Sequence, residues 1–236
     1  MIDQLRGELP IHIVAYDLAA LEVGVVVVNQ INGWCTPGAG PLAPAAGDAR
    51  IGRMIEETSR LVRGFVDRRR AVLALVDARC PGRSPAGGDA EKLVPELAWL
   101  GDEPDVTILR TDCVDGFVGG IEAVHHGTHG ATRNRVVDWV NAHRLQTVLV
   151  AGMCTDVAVM DFVLTMLSAR NHGLMATLQD IVVLEPATAT YDLSRQAAAD
   201  LGLPPTAAHP KLPTHHMGLY FMASRGAILA GELTGL

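Results

Sequence analysis

Aromatic residues are scarce in this chain: Phe, Tyr and Trp together make up 4% of its 236 residues, while apolar residues make up 49%. The interior must therefore be filled by Val, Ala and Leu. Cations are also short. Nineteen Lys and Arg face 26 Asp and Glu, giving a formal charge of −7, whereas a nucleic-acid surface needs clustered Lys and Arg. The one dense basic run, Arg68, Arg69 and Arg70, ends a predicted helix, where cations complement the helix dipole. No apolar run is long enough to span a bilayer. No charged-then-apolar leader opens the chain, because Met1 to Pro10 carries Asp3, Arg6 and Glu8. The expectation is a cytoplasmic protein with no nucleic-acid and no membrane partner. Four cysteines, Cys35, Cys80, Cys113 and Cys154, fit neither a zinc-ribbon nor a CxxC spacing. A chain this long buries a large core without disulfides, so free thiols are expected.

What is present is a regular alternation of β-branched runs with helical patterns. Val23 to Asn29, Ala71 to Asp77, Asp105 to Arg110, Thr147 to Gly152 and Leu174 to Leu184 read as strands, the first a continuous apolar run of the kind buried on both faces. Asp48 caps a helix through about Arg69. Further helices are expected around Leu93 to Leu100, Thr132 to His143, Thr155 to Asn171 (with Gly173 just past its end) and Asp192 to Leu201. A short strand near Leu219 to Met222 closes the pattern. Three stretches read as loop: Asn32 to Pro44, Cys80 to Gly88 and Val114 to Gly130. No repeat and no linker divides residues 1–236, so one domain is expected. The alternation predicts an α/β fold with a mainly parallel sheet between two helical layers, a three-layer α/β/α sandwich. Ligands bind beyond the carboxyl ends of such strands. That selects Asn29 to Trp34, Asp77 to Cys80, Thr111 to Phe117 and Gly152 to Asp156.

Five stretches carry a resemblance: VVVVNQINGWCTPGAGPLAP (Val25 to Pro44), TDCVDGFVGG (Thr111 to Gly120), GMCTDVAVMDFV (Gly152 to Val163), SARNHG (Ser168 to Gly173) and HHMGLY (His215 to Tyr220). In this order they resemble the nicotinamidase/isochorismatase-like cysteine hydrolases, especially the plant-type nicotinamidases. The resemblance implies the isochorismatase-like α/β/α fold. It also implies a triad in which a Cys thiolate attacks an amide carbonyl, an Asp moves the proton and a Lys lowers the thiol pKa.

Carried over residue by residue, the triad falls on Asn29, Thr111 and Ala158. An amide is no general base, a threonine brings no charge and an alanine no nucleophile. The GxxTD turn persists as Gly152, Met153, Cys154, Thr155 and Asp156. The resemblance therefore implies a cis peptide at Met153–Cys154 and an oxyanion pocket. The family's metal ligands are an Asp and two His. Asp77 matches the Asp, but the following residues are Ala78, Arg79 and Cys80, so no metal and no cofactor is expected.

The remaining candidates have ordinary readings. Cys154 occupies the small position of the turn, Cys35 and Cys113 pack, and Cys80 is a loop thiol without a matched base. His125, His126 and His129 could hold a transition metal but lack a carboxylate at suitable spacing. His215 and His216 read as structural or interface residues. Asp112 is a further carboxylate without a clear role, Asp115 binds a turn backbone and Asp156 caps a helix. Trp34 takes the place of the family aromatic that stacks on the substrate ring, with Phe117 as a second contact. The expected pocket is thus Asn29, Trp34, Thr111, Phe117, Met153, Cys154 and Ala158.

Three functional readings follow. The first is a non-hydrolytic homologue that binds a small planar ligand or partners an active paralogue, self-associating as family members do. The second is an amide or ester hydrolase rebuilt on Cys154 or an activated water. The third is a purely structural subunit of a hetero-oligomer.

Overall fold

The computed structural model describes residues 2–19, 21–40, 43–78, 88–124 and 131–235. A short helix α1 (Ile2–Glu8) leads into β1 (Ile13–Asp17) and β2 (Val23–Val28). A one-turn helix α2 (Asn32–Cys35) is followed by the long α3 (Ala49–Asp67) and by β3 (Val72–Asp77). Two 3₁₀ turns precede β4 (Val106–Thr111). A small antiparallel pair, β5 (Ile121–Val124) and β6 (Ala131–Asn134), then leads to α4 (Arg135–Ala142). The chain finishes with β7 (Thr147–Met153), α5 (Ala158–Asn171), β8 (Asp180–Ala189), α6 (Arg195–Asp200), α7 (Lys211–Ser224) and β9 (Ile228–Thr234).

Seven strands form one sheet in the order β1-β9-β8-β7-β2-β3-β4, and every neighbouring pair in it is parallel. The period-2 alternation of strand side chains divides the core in two. Val26, Val28, Leu73, Leu75, Val148 and Val150 face the layer that holds Trp139 of α4 and Phe162 of α5. Val25, Val27, Val72, Ala74, Leu149 and Ala151 face α3. Helix α3 buries Ile51, Met54, Thr58, Leu61, Val62 and Phe65, the spacing of one face of a 3.6-residue turn. Asp48 caps it as expected, accepting from the N–H groups of Arg50 (2.9 Å) and Ile51 (3.2 Å). The fold is the expected three-layer α/β/α sandwich.

Several elements depart from the sequence reading. Leu219 to Met222 is not a strand but the middle of α7. Its buried residues His215, His216, Leu219 and Met222 recur at helical spacing, and the last strand is Ile228–Thr234. The fifth strand starts six residues late, because residues 174–179 turn out of α5 and Thr177 Oγ donates to Leu145 O (2.9 Å). It then runs through Pro186 to Ala189. A register shift opposite Val150/Gly152 absorbs the proline, which a regular ladder rejects. The helix expected from Thr132 begins at Arg135, since Asn134 accepts from Val136 N and Val137 N and acts as the cap. Residues 93–100 form turns and a 3₁₀ segment around Pro95 rather than a helix. The stretches read as loop are partly ordered into α2, a 3₁₀ turn at Val118–Gly120 and β5. Cys80 and most of the Cys80 to Gly88 loop, with His125, His126 and His129, lie outside the described residues.

Candidate functional site

Strand β2 is the switch point of the sheet: β3 and β4 follow on one side, β7, β8 and β9 on the other. A crevice is expected at such a point, beyond the carboxyl ends of the strands. Asn29 stands there, one residue past β2, with φ of 49°, a left-handed conformation that asparagine tolerates better than most residues. Its carboxamide Oδ1 accepts the N–H of Asp77 (3.0 Å), and its own N–H donates to Leu75 O (3.0 Å). Asp77 in turn pairs in register with Thr111 at the end of β4, whose hydroxyl donates to Cys113 O (3.3 Å). Ala158 is the first residue of α5. Asn29, Thr111 and Ala158 are buried, at 5%, 3% and 4% exposure. The strand ends thus bring Asn29, Asp77 and Thr111 together along one edge. Ala158 approaches from the α4–α5 layer, while Trp34, Met153 and Cys154 belong to the α3 layer.

Beside Asn29 lies the turn that follows β7. The Met153–Cys154 peptide is cis, as the resemblance implied. Gly152 has φ of 133°, and a Cβ there would sit 2.0 Å from Val28 O, so only glycine permits this approach of β7 to β2. Cys154 is buried, and burial, helped by the charge of Asp156, pushes its thiol up to about 12. At neutral pH it is a thiol, not a nucleophilic thiolate. Cys35 is buried and its Sγ meets Met153 Sδ at 3.2 Å, consistent with a packing role.

Phe117, expected as a second ligand contact, is as buried as Asn29. It is 5% exposed and packs on Phe162 at 6.5 Å between ring centroids, in the core layer opposite the one that holds Trp34. One sequence reading is corrected here: Asp156 is not a helix cap. Its Oδ1 accepts from Thr190 Oγ (2.6 Å) and its Oδ2 from His209 Nε2 (2.6 Å). Burial opposes the charge of Asp156, yet the bonds from His209 and Thr190 hold its pKa below the usual carboxylate range. Burial likewise opposes protonation of His209, but Asp156 raises its pKa above the ordinary imidazole value. The other ring nitrogen, Nδ1, lies 2.9 Å from Tyr191 O, an acceptor only. Both ring nitrogens thus face acceptors, an arrangement that an imidazolium satisfies. Its ring stacks on Tyr191 at 4.0 Å, and Tyr191 tilts against Trp34 at 6.1 Å.

A second imidazole braces the same turn. His215 Nδ1 meets Thr155 Oγ1 (2.8 Å), while its Nε2 faces Arg50, which also pairs with Glu185. Burial depresses the His215 pKa and Arg50 adds to the effect, against the opposing pull of Glu185. Contact with His215, together with Arg50, holds Glu185 at about 2. Helix α7 comes so close to the turn that a Cβ at Gly218 would lie 2.7 Å from Asp156 Cα. His216 bonds to Leu9 O (2.8 Å), a structural contact between α7 and the segment before β1.

Asp115 binds its turn as read, accepting from Phe117 N (2.9 Å), and it also accepts from Thr165 Oγ1 (2.6 Å). Among the described residues no group of three or more His, Cys, Asp or Glu is placed to hold a metal ion. No helix among them is long and apolar enough to cross a membrane. The sequence reading missed His209, Tyr191 and Thr190, and also Arg50 and Glu185. Asp156 and His209 are 53 positions apart, and no local pattern connects them.

Residues 23–206 match the isochorismatase domain. The chain is 37% identical to nicotinamidase 1 of Arabidopsis thaliana over 247 aligned positions, covering 99% of this chain and 96% of the relative. Among solved structures, a nicotinamidase/pyrazinamidase from Bacillus subtilis superposes with a TM-score of 0.60 at 16% identity, over 89% of this chain and 100% of that one. An isochorismatase from Pseudomonas putida gives 0.60 at 14%, over 97% and 95%. Identities this low establish the shared fold alone. Taken with the sheet order, the domain match and the full-length relative, they place this chain in the isochorismatase-domain family, among proteins similar to nicotinamidases.

Proposed function

We propose that this chain does not hydrolyse amides by the cysteine route of its relatives and instead binds a small planar ligand beside Trp34. The observation that carries the reading is the chemistry at the switch point. The positions that the resemblance assigns to the family's Asp, Lys and Cys hold Asn29, Thr111 and Ala158. Two of these are already engaged: Asn29 with the Asp77 backbone and Thr111 with the Cys113 carbonyl. A carboxamide is neither an acid nor a base at neutral pH, and a methyl group cannot attack a carbonyl. The adjacent thiol does not substitute for them, because Cys154 lies near 12 with Asp156 rather than a cation beside it. This weighs against an amide or ester hydrolase rebuilt on Cys154. A ligand-binding role needs only a shaped pocket and an aromatic contact, which Trp34 supplies. Self-association, with a second copy or an active paralogue, belongs to the same proposal by analogy with the family.

The test is direct. Purified protein incubated with nicotinamide should release no ammonia above a buffer blank. A thermal-shift series with nicotinamide, pyrazinamide and isochorismate-like acids should show stabilisation by at least one planar ligand. The combined change Asn29→Asp, Thr111→Lys and Ala158→Cys should raise amide hydrolysis above the blank, because the turn beside it is retained. Rapid ammonia release by the unmodified chain would overturn the proposal.

A further inference from the structure

The buried pair Asp156–His209 lies outside every role assigned above, yet it touches the ring that touches Trp34. Asp156 and His209 leave only 12% of either side chain exposed. His209 is fixed twice. Its backbone forms a two-way bridge with Leu193 (2.9 and 2.7 Å), and its ring donates to Asp156 and to Tyr191 O. Both partners of the ring are pure acceptors. Loss of one proton therefore forces a bare nitrogen to face either a carboxylate or a carbonyl, and one of the two bonds is lost. The same deprotonation ends the attraction between the imidazolium and the face of Tyr191, a cation–π contact at 4.0 Å.

We propose that His209, held as an imidazolium between Asp156 and the Tyr191 carbonyl, is a positioning residue for the aromatic platform Tyr191–Trp34, so that proton binding at His209 and ligand binding at Trp34 are coupled. The inference rests on the reading of Trp34 as the ligand contact. The ligand class it favours is a planar ring that lies against Trp34, with Tyr191 tilted behind Trp34 and the His209 ring stacked on Tyr191.

The surroundings keep this charge local. Asp156 and Thr190 face His209 from the turn and from the end of β8. Asp192 lies next to Tyr191 and accepts Lys211 N (3.1 Å), while the Lys211 ammonium pairs with Asp48. Cys154, beneath Tyr191, is a neutral thiol, and burial disfavours the charged form of His215 behind Thr155. Burial acts against His209 protonation, and Asp156 followed by Asp192 more than offsets it. The imidazolium therefore persists above the ordinary imidazole midpoint of about 6.5 and is lost as pH rises through the raised value.

The experiment uses the full chain labelled with 5-fluorotryptophan, with the Trp34 fluorine signal assigned by its loss in Trp34→Phe. Trp34 should titrate with a midpoint above about 6.5, and the His209 ring nitrogens should titrate at the same midpoint in ¹H–¹⁵N spectra. In His209→Gln the Trp34 transition should vanish while circular dichroism stays that of the parent. Should that variant not fold, Asp156→Asn, which keeps an acceptor but removes the charge, should shift the His209 and Trp34 midpoints downward together. A flat Trp34 signal from pH 5 to 9, a titration that survives in His209→Gln, or two midpoints that differ would each overturn the coupling. The ligand arm uses nicotinamide. Its Kd should weaken about threefold through the same midpoint, and the pH dependence should be lost in His209→Gln. Failure of nicotinamide and the other planar probes to bind at any pH sinks the ligand reading, leaving the fluorine titration to decide the platform. Binding that depends on Trp34 but not on pH sinks the coupling and leaves the ligand reading standing.

Discussion

The carboxyl edge of the sheet has two unlike halves. On the β2–β4 side, Asn29 and Thr111 are buried polar groups that bond to the backbone. On the β7–β8 side, Asp156, His209, Arg50 and Glu185 form buried or half-buried ion pairs tied to the turn after β7. The contrast separates two ways of satisfying polar groups out of water. Neutral groups need only a geometric partner, and the backbone supplies it. Charged groups need an opposite charge and further hydrogen bonds, or burial would neutralise them. The first half also holds one buried carboxylate, Asp77, so the two halves differ in degree: the second carries most of the paired charge.

Removing Asp156 should produce the largest effect. Asp156→Ala leaves the His209 imidazolium and the Thr190 hydroxyl without their acceptor, and breaking such a pair costs about 3 kcal/mol, read from urea unfolding at pH 6. A loss under about 1 kcal/mol would mean that the pair behaves as a surface ion pair and that the two halves do not differ. The pH dependence sharpens the test. His209 has a raised pKa, so its contribution is full below about 6.5 and disappears as pH rises through its folded value. Asp156 has a lowered pKa, so its contribution is full above about 3.9 and disappears as pH falls through its folded value. The stability gap between wild type and Asp156→Ala should therefore be widest between these limits and shrink on either side.

Trp34→Ala should weaken a planar ligand by about 1–3 kcal/mol, measured by calorimetric titration, with little change in melting temperature because Trp34 is only partly buried. On the quieter half, Asn29→Ala should cost about 1–2 kcal/mol, because it orphans the buried Asp77 N–H. Asn29→Asp keeps an acceptor at that place and should cost less in the same denaturation series. Equal losses for the two variants would show that the hydrogen bond is not what holds Asn29. The smallest effect belongs to Cys154. Its thiol should react with iodoacetamide no faster than a buried reference thiol at pH 7, and Cys154→Ala should leave ligand affinity unchanged. Selective alkylation of Cys154 under native conditions would reverse the ranking of the functional readings.

Much of the sheet was legible because its strands are buried on both faces, where apolar runs such as Val23 to Val28 leave little ambiguity. The Asp48 cap and the switch-point segments followed from local rules in the same way. Where the reading failed, competing local signals were nearly balanced. Leu219 to Met222 is apolar enough for a strand, but the buried His215, Gly218 and Leu219 share one helical face. Pro186 sits inside β8, where only a register shift makes room for it. The expected pocket residues Asn29, Trp34, Thr111 and Cys154 came from the resemblance and from strand ends, both of which are read along the chain. The pair of Asp156 with His209 could not be found that way. Its partners meet only when α7 docks on the turn, a contact set by Gly218 and by the Leu193–His209 bridge.

The pairing of β1 with β9 has a consequence for how this chain is made. Ile13 lies beside Leu229 and Asp17 beside Thr234, so among the described residues β1 pairs with a strand some two hundred positions further along the chain. Contacts between segments this distant in sequence form slowly. The pairing of Ile13–Asp17 with β9 is therefore expected among the later contacts of the sheet. Until β9 arrives, the open edge of the growing sheet is β8, the strand that carries Glu185 and leads to Thr190.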